Sequence, residues 1–118
     1  MNSKKVLIID DEEVVRYYLS RFIARRGYTV YEAGTGEEGL RLFEQHRPDC
    51  VFLDYHLPLM DGAAVLQKIR RHGADTRVCF ITGEQGADIE QTVRSLGVDS
   101  YLVKPVDFET IRELVDSL

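Results

Sequence analysis

Asp10 and Asp11 follow the apolar run Val6-Leu7-Ile8-Ile9, and Asp54 follows Cys50-Val51-Phe52-Leu53. Thr82 closes Val78-Cys79-Phe80-Ile81, and Lys104 closes Ser100-Tyr101-Leu102-Val103. Three carboxylates brought together would repel one another and raise the proton affinity of at least one. A divalent cation resolves that conflict. An all-oxygen site with few protein ligands, completed by water and a phosphate, suits Mg²⁺, with Mn²⁺ as its substitute. An ammonium and a hydroxyl beside one carboxylate then make a receptacle for a phosphoryl group, whose transfer needs positioning and charge neutralisation more than covalent help. Singly, each residue has a plainer explanation. An Asp after a strand caps a helix or turns the chain, a Lys before Pro is a solvated charge, and a Thr at a strand end satisfies local backbone. Glu12 and Glu13 are well explained by the favourable field at a helix N-terminus. The chemical reading therefore stands or falls with joint placement.

Placement depends on the elements between these residues. The run 6–9 is continuously apolar, as in a strand covered on both faces. A helix then extends to about Arg26, with Val15, Leu19, Phe22 and Ile23 on one face, Arg21, Arg25 and Arg26 towards its C-terminus and Gly27 as its stop. Thr29–Ala33 reads as a second strand. Thr35 and Glu38 have the spacing of a capping box and open a second helix that carries Leu40 and Phe43 inward and ends near His46, before Pro48. The third strand ends at Asp54, and Pro58, Asp61 and Gly62 follow as turn residues. A third helix from Ala63 to about Arg71 has Val65, Leu66 and Ile69 as its apolar face, and Gly73 closes it. A fourth strand, 78–81, precedes a short helix from Ala87 to Leu96. A fifth strand, 100–103, precedes a helix predicted to reach the last residue, marked by Phe108, Ile111, Leu114, Val115 and Leu118.

Strand and helix thus alternate five times with no linker or low-complexity tract. Strict alternation predicts an α/β fold, with a parallel sheet between two layers of helices. Right-handed crossovers bring every strand C-terminus to one edge, so the residues singled out above share it. A crevice is expected between strands one and three, where the direction of winding switches.

The chain has 118 residues, which fits one domain spanning 1–118, and 44% of them are hydrophobic, enough for a packed core. A net charge of -5, from 20 acidic and 15 basic residues, argues against nucleic-acid binding by this segment. No apolar run approaches the roughly 20 residues of a membrane span, and the N-terminus lacks a signal-peptide layout. Cys50 and Cys79 lie in apolar strands and read as small hydrophobes in a reducing compartment.

Four segments together carry a family resemblance: Val6-Leu7-Ile8-Ile9-Asp10-Asp11-Glu12, Leu53-Asp54-Tyr55-His56-Leu57-Pro58-Leu59-Met60-Asp61-Gly62, Phe80-Ile81-Thr82-Gly83 and Gly97-Val98-Asp99-Ser100-Tyr101-Leu102-Val103-Lys104-Pro105. In order and spacing the whole chain resembles a response-regulator receiver domain of two-component signalling. The resemblance implies a flavodoxin-like (βα)5 fold with strand order 2-1-3-4-5, an order the alternation alone supports only in part. It implies that Asp54 is the phosphoacceptor. Asp11, Asp54 and the backbone carbonyl of His56 would ligate Mg²⁺, with Asp10 acting through water. Lys104 would pair with phosphoryl oxygens, Thr82 would hydrogen-bond the phosphoryl group, and Tyr101 would be the aromatic switch behind it. The Lys104–Pro105 bond would be cis. His56 and Glu84, two residues beyond Asp54 and Thr82, would flank the phosphoryl group. A cationic His56 would bind phosphate and a neutral one would shield it; the residue type does not choose. Gly83 departs from the more usual Ala and loosens the following loop.

The function implied is a phosphorylation switch. A sensor histidine kinase or a histidine phosphotransfer protein would donate the phosphoryl group in the cytoplasm, and the surface of helix four, strand five and helix five would pass the change to an effector. That surface has mixed charges (Asp88, Glu90, Arg94, Glu109, Arg112 and Glu113) that select neither a monomer nor a phosphorylation-dependent dimer. The chain is either free-standing or a piece of a longer regulator or hybrid kinase. A phosphohydrolase with an Asp nucleophile is the enzymatic rival, but His56 stands where such enzymes place a second Asp, and 118 residues leave no room for a cap over a small substrate. A receiver-like module that is never phosphorylated is the third reading. It does not explain why Asp10, Asp11, Asp54, Thr82 and Lys104 all occur together.

Overall fold

The computed structural model describes residues 4–72, 75–83 and 87–118. Five strands alternate with five helices: β1 (Lys5–Ile9), α1 (Glu13–Arg25), β2 (Thr29–Ala33), α2 (Gly36–His46), β3 (Cys50–Leu53), α3 (Gly62–Arg71), β4 (Arg77–Thr82), α4 (Ala87–Ser95), β5 (Ser100–Val103) and α5 (Phe108–Asp116). All strand pairs are parallel, in the order β2-β1-β3-β4-β5. The flavodoxin-like three-layer fold is therefore as expected.

Side-chain alternation along the central strands divides the core in two. Leu7, Ile9, Val51, Leu53, Val78 and Phe80 face one way and pack with Phe43, Val65, Leu66, Ile69 and Val93 of α2, α3 and α4. Val6, Ile8, Cys50, Phe52, Cys79 and Ile81 face the other way and pack with Leu19, Ile23, Ile111 and Val115 of α1 and α5. Both cysteines are free and buried, and burial pushes their thiols up, that of Cys79 to about 12. They act as small hydrophobes. No helix among the described residues is long and apolar enough to cross a membrane.

Several boundaries differ from the sequence reading. The fifth helix ends at Asp116, with Ser117 as its C-cap, rather than at the last residue. The fourth ends at Ser95, one residue early. The third begins at Gly62 because Asp61, read as a turn residue, is its N-cap and accepts the Ala64 N–H at 2.9 Å. The capping box of α2 is half formed: Thr35 accepts the Glu38 N–H at 3.1 Å, while the Glu38 carboxylate reaches back to the Gly34 N–H at 3.4 Å. Gly73, expected to close α3, lies outside the described residues.

Candidate functional site

The register of the sheet assembles the site. Ile9 pairs with Leu53, so Asp10 and Asp54 leave adjacent strands side by side. Backbone bonds fix both exits, from the Asp10 N–H to the Ala33 carbonyl at 3.0 Å and from the Asp54 N–H to the Ile9 carbonyl at 2.9 Å. Thr82 pairs with Val103, and the Lys104 N–H donates to the Thr82 carbonyl at 2.8 Å, which carries Lys104 to the same edge. The Lys104–Pro105 peptide is cis.

Among the described residues, Asp10, Asp54 and Thr82 are the buried polar side chains, 2%, 3% and 0% exposed. Lys104 Nζ lies 2.9 Å from Asp10 Oδ2, 3.1 Å from Asp54 Oδ2 and 2.5 Å from Glu12 Oε1. Carboxylate oxygens of Asp10, Asp11, Glu12 and Asp54 come within 4.8 Å of one another, with Asp11 and Glu12 exposed. Such an all-oxygen cluster, part buried and part exposed, fits a small hard cation that keeps part of its water shell. The His56 N–H points at Asp54 Oδ1 at 3.4 Å, and its ring stands exposed at the rim, edge-on to Tyr55. Tyr101 is half-buried on β5, its ring nearly parallel to that of Phe80 at 6.3 Å. Glu84 lies outside the described residues.

Burial pushes the Asp10 carboxyl up to about 6, and the charge of Asp54 adds to that, while the Glu12 N–H and Lys104 oppose it. Burial works against the Lys104 ammonium, but hydrogen bonds to Glu12, Asp10 and Asp54 outweigh it and hold that group above the ordinary lysine range. The acidic cluster at this edge of the sheet is thus gathered around the Lys104 ammonium.

Sequence reasoning missed two contributors. Glu12, explained there by the helix dipole, reaches Lys104, 92 residues away. Arg16 Nη1 donates to the Asp10 carbonyl at 2.5 Å, and its Nε lies 3.6 Å from Glu32, which ties the end of β1 to β2. An arginine in the first turns of a helix gives no sequence signal for either contact.

Residues 6–116 match the family described as response regulator receiver domain. The chain belongs to this family. As a receiver domain it is a part of two-component signalling systems, in a family of phosphotransfer-type switches whose sites generally depend on Mg²⁺. It is 32% identical over 115 residues to Sporulation initiation phosphotransferase F of Bacillus subtilis (strain 168), covering 98% of this chain and 93% of that protein. It is 41% identical over 102 residues to the Probable transcriptional regulator ycf27 of Guillardia theta, covering 86% of this chain and 40% of that protein. Among solved structures, chemotaxis protein CheY4 of Vibrio cholerae superposes with a TM-score of 0.90 at 27% identity, covering 98% of both chains. The receiver domain therefore spans nearly all of one relative and less than half of another.

Proposed function

We propose that Asp54 accepts a phosphoryl group from a phosphohistidine on a sensor histidine kinase or a histidine phosphotransfer protein. An Asp54 carboxylate oxygen forms the new bond to phosphorus. The bond from phosphorus to the imidazole nitrogen breaks, and its electron pair stays with the imidazole. Water later cleaves the aspartyl phosphate, a mixed anhydride. The observation that carries this reading is the Lys104 ammonium bridging two buried carboxylates at the sheet's edge, 2.9 and 3.1 Å away. That is a fixed positive charge where phosphoryl oxygens would collect.

Asp11, Asp54 and the His56 carbonyl, with Asp10 through water, would hold Mg²⁺ or Mn²⁺. That ion would offset the charge of the carboxylates and of the phosphoryl oxygens. Lys104 and Thr82 would bind the phosphoryl oxygens, and His56 and Glu84 would flank the group and set how readily water reaches it. Movement of Thr82 and Tyr101 towards the new charge would favour a minor conformer and alter the surface of α4, β5 and α5 for an effector. The charges on that surface are partly satisfied within their own helices, Glu90 with Arg94 and Glu109 with Arg112. A cytoplasmic receiver acting through this surface, as a monomer or a phosphorylation-dependent dimer, completes the proposal.

Intact mass after incubation with Mg²⁺ and acetyl phosphate tests it. The native chain should gain one phosphoryl group, and both Asp54→Asn and a chelator should prevent the gain. Failure to gain mass, together with failure to bind Mg²⁺ or a phosphoryl mimic, would leave an interaction module in its place.

A further inference from the structure

An ammonium group has three N–H donors. That of Lys104 donates to Glu12 at 2.5 Å and to Asp54 at 3.1 Å, and pairs with the Asp10 carboxylate at 2.9 Å. These partners are not equivalent. Asp10 and Asp54 are buried on adjacent strand exits, whereas the Glu12 side chain is 57% exposed. Glu12 also occupies the N-cap of α1 without making a side-chain capping bond. A side chain at that position ordinarily satisfies the first free N–H groups of the helix. Here the backbone of Glu12 is pinned, its N–H to Asp10 Oδ1 at 2.8 Å and its carbonyl to the Arg16 N–H at 3.1 Å, while its carboxylate turns away to Lys104.

We infer that Glu12 is a displaceable latch: it holds the Lys104 ammonium over the crevice while Asp54 is unmodified, and an incoming phosphoryl oxygen must take its place. The inference rests on Asp54 being the phosphoacceptor. An ammonium enclosed by three carboxylates makes room for a phosphoryl oxygen by releasing one of them. The exposed partner is released at least cost, because water replaces the bond and exposed ion pairs are weak. Glu12 is thus a positioning residue that acts through Lys104. It weakens phosphoryl binding by roughly the worth of one exposed ion pair, whatever the donor.

The test is titration with beryllofluoride at saturating Mg²⁺, followed by amide NMR shifts, on the native chain, Glu12→Gln and Glu12→Asp. Glu12→Gln removes the charge and the latch. Glu12→Asp keeps the charge, but its shorter side chain falls back on the helix end, where Asp is a favoured cap. Both variants should bind beryllofluoride about two- to fivefold more tightly than the native chain. A gain in Glu12→Gln alone would mean simple charge repulsion and would overturn the latch, as would native affinity in both variants. If none of the three chains binds beryllofluoride, the phosphoacceptor reading itself fails and the latch falls with it.

Discussion

Gly62 and Asp54 meet backbone to backbone. A methyl group on Gly62 would stand 2.3 Å from the Asp54 carbonyl oxygen and 2.8 Å from the Tyr55 Cα. The Gly62 N–H donates to the Tyr55 carbonyl at 2.7 Å, so the start of α3 is held directly against the exit of β3. No flexible side chain is available to give way. Gly62→Ala should therefore lower the unfolding free energy by about 2 kcal/mol or more, as overpacking does, and slow phosphorylation at Asp54 by displacing its carboxylate. Urea unfolding and acetyl phosphate labelling measure the two effects. A variant with native stability would show that the two segments part easily.

Leu59, in the same loop, has φ 68 and is fully exposed. A branched apolar residue in the left-handed region is strained by roughly 1–2 kcal/mol, and here it buries nothing in return. Leu59→Gly relieves the strain but adds freedom to the unfolded chain. The net expectation is a gain of about 0.5 kcal/mol, seen as a raised urea midpoint, with labelling by a small donor unchanged. A lowered midpoint would point to contacts of the Leu59 side chain that offset its strain.

The arrangement of Asp10, Asp11, Asp54, Thr82 and Lys104 was legible in the sequence because a parallel α/β sheet turns sequence position into spatial position. Each residue ends a strand or lies within two residues of its end, and all strand ends share one edge. Glu12 was not legible: its role depends on a partner in another strand exit, while the helix dipole already explained its presence. Asp61 was hidden differently. Asp before Gly signals a turn as readily as a helix cap, and only the bond to the Ala64 N–H separates them. The last turn of α5 was overextended because Leu118 continues the apolar spacing, although its N–H closes onto the Val115 carbonyl in a tighter turn.

Lys104→Met should separate stability from ion binding. Without the ammonium, the buried Asp10 and Asp54 carboxylates face each other uncompensated, and removing one partner of a buried pair costs about 3–5 kcal/mol. Partial access of solvent to Lys104, whose side chain is 15% exposed, places the expected loss in metal-free buffer at the low end. The same substitution removes the cation that competes for the carboxylates, so Mg²⁺ should bind more tightly than in the native chain, and labelling of Asp54 should slow. Mg²⁺ titration alongside unfolding distinguishes these effects. Weaker Mg²⁺ binding would contradict any competition between the ammonium and the ion.

Asp10 should make the metal-free domain less stable as pH rises. Its carboxyl sits at about 6 in the folded chain, against 3.8 ordinarily, chiefly through burial. Below the lower value both states hold the proton and nothing is lost. Between the two values the unfolded chain ionises freely while the folded chain keeps its proton, so stability falls with rising pH. Above the upper value the deficit is complete, roughly 3 kcal/mol at most for a difference of this size. Asp10→Asn has no such titration. In chelator its stability relative to the native chain should therefore climb across that window and then level off. Saturating Mg²⁺ should offset most of that deficit above the window, since an ion bound only by the folded, ionised site stabilises it by about 2.7 kcal/mol at a hundredfold excess over its dissociation constant. Urea midpoints of both chains at several pH values, with and without Mg²⁺, decide the matter. A native-to-variant difference that stays flat with pH in chelator would mean that Asp10 titrates alike in the folded and unfolded chains, with Lys104 fully offsetting its burial.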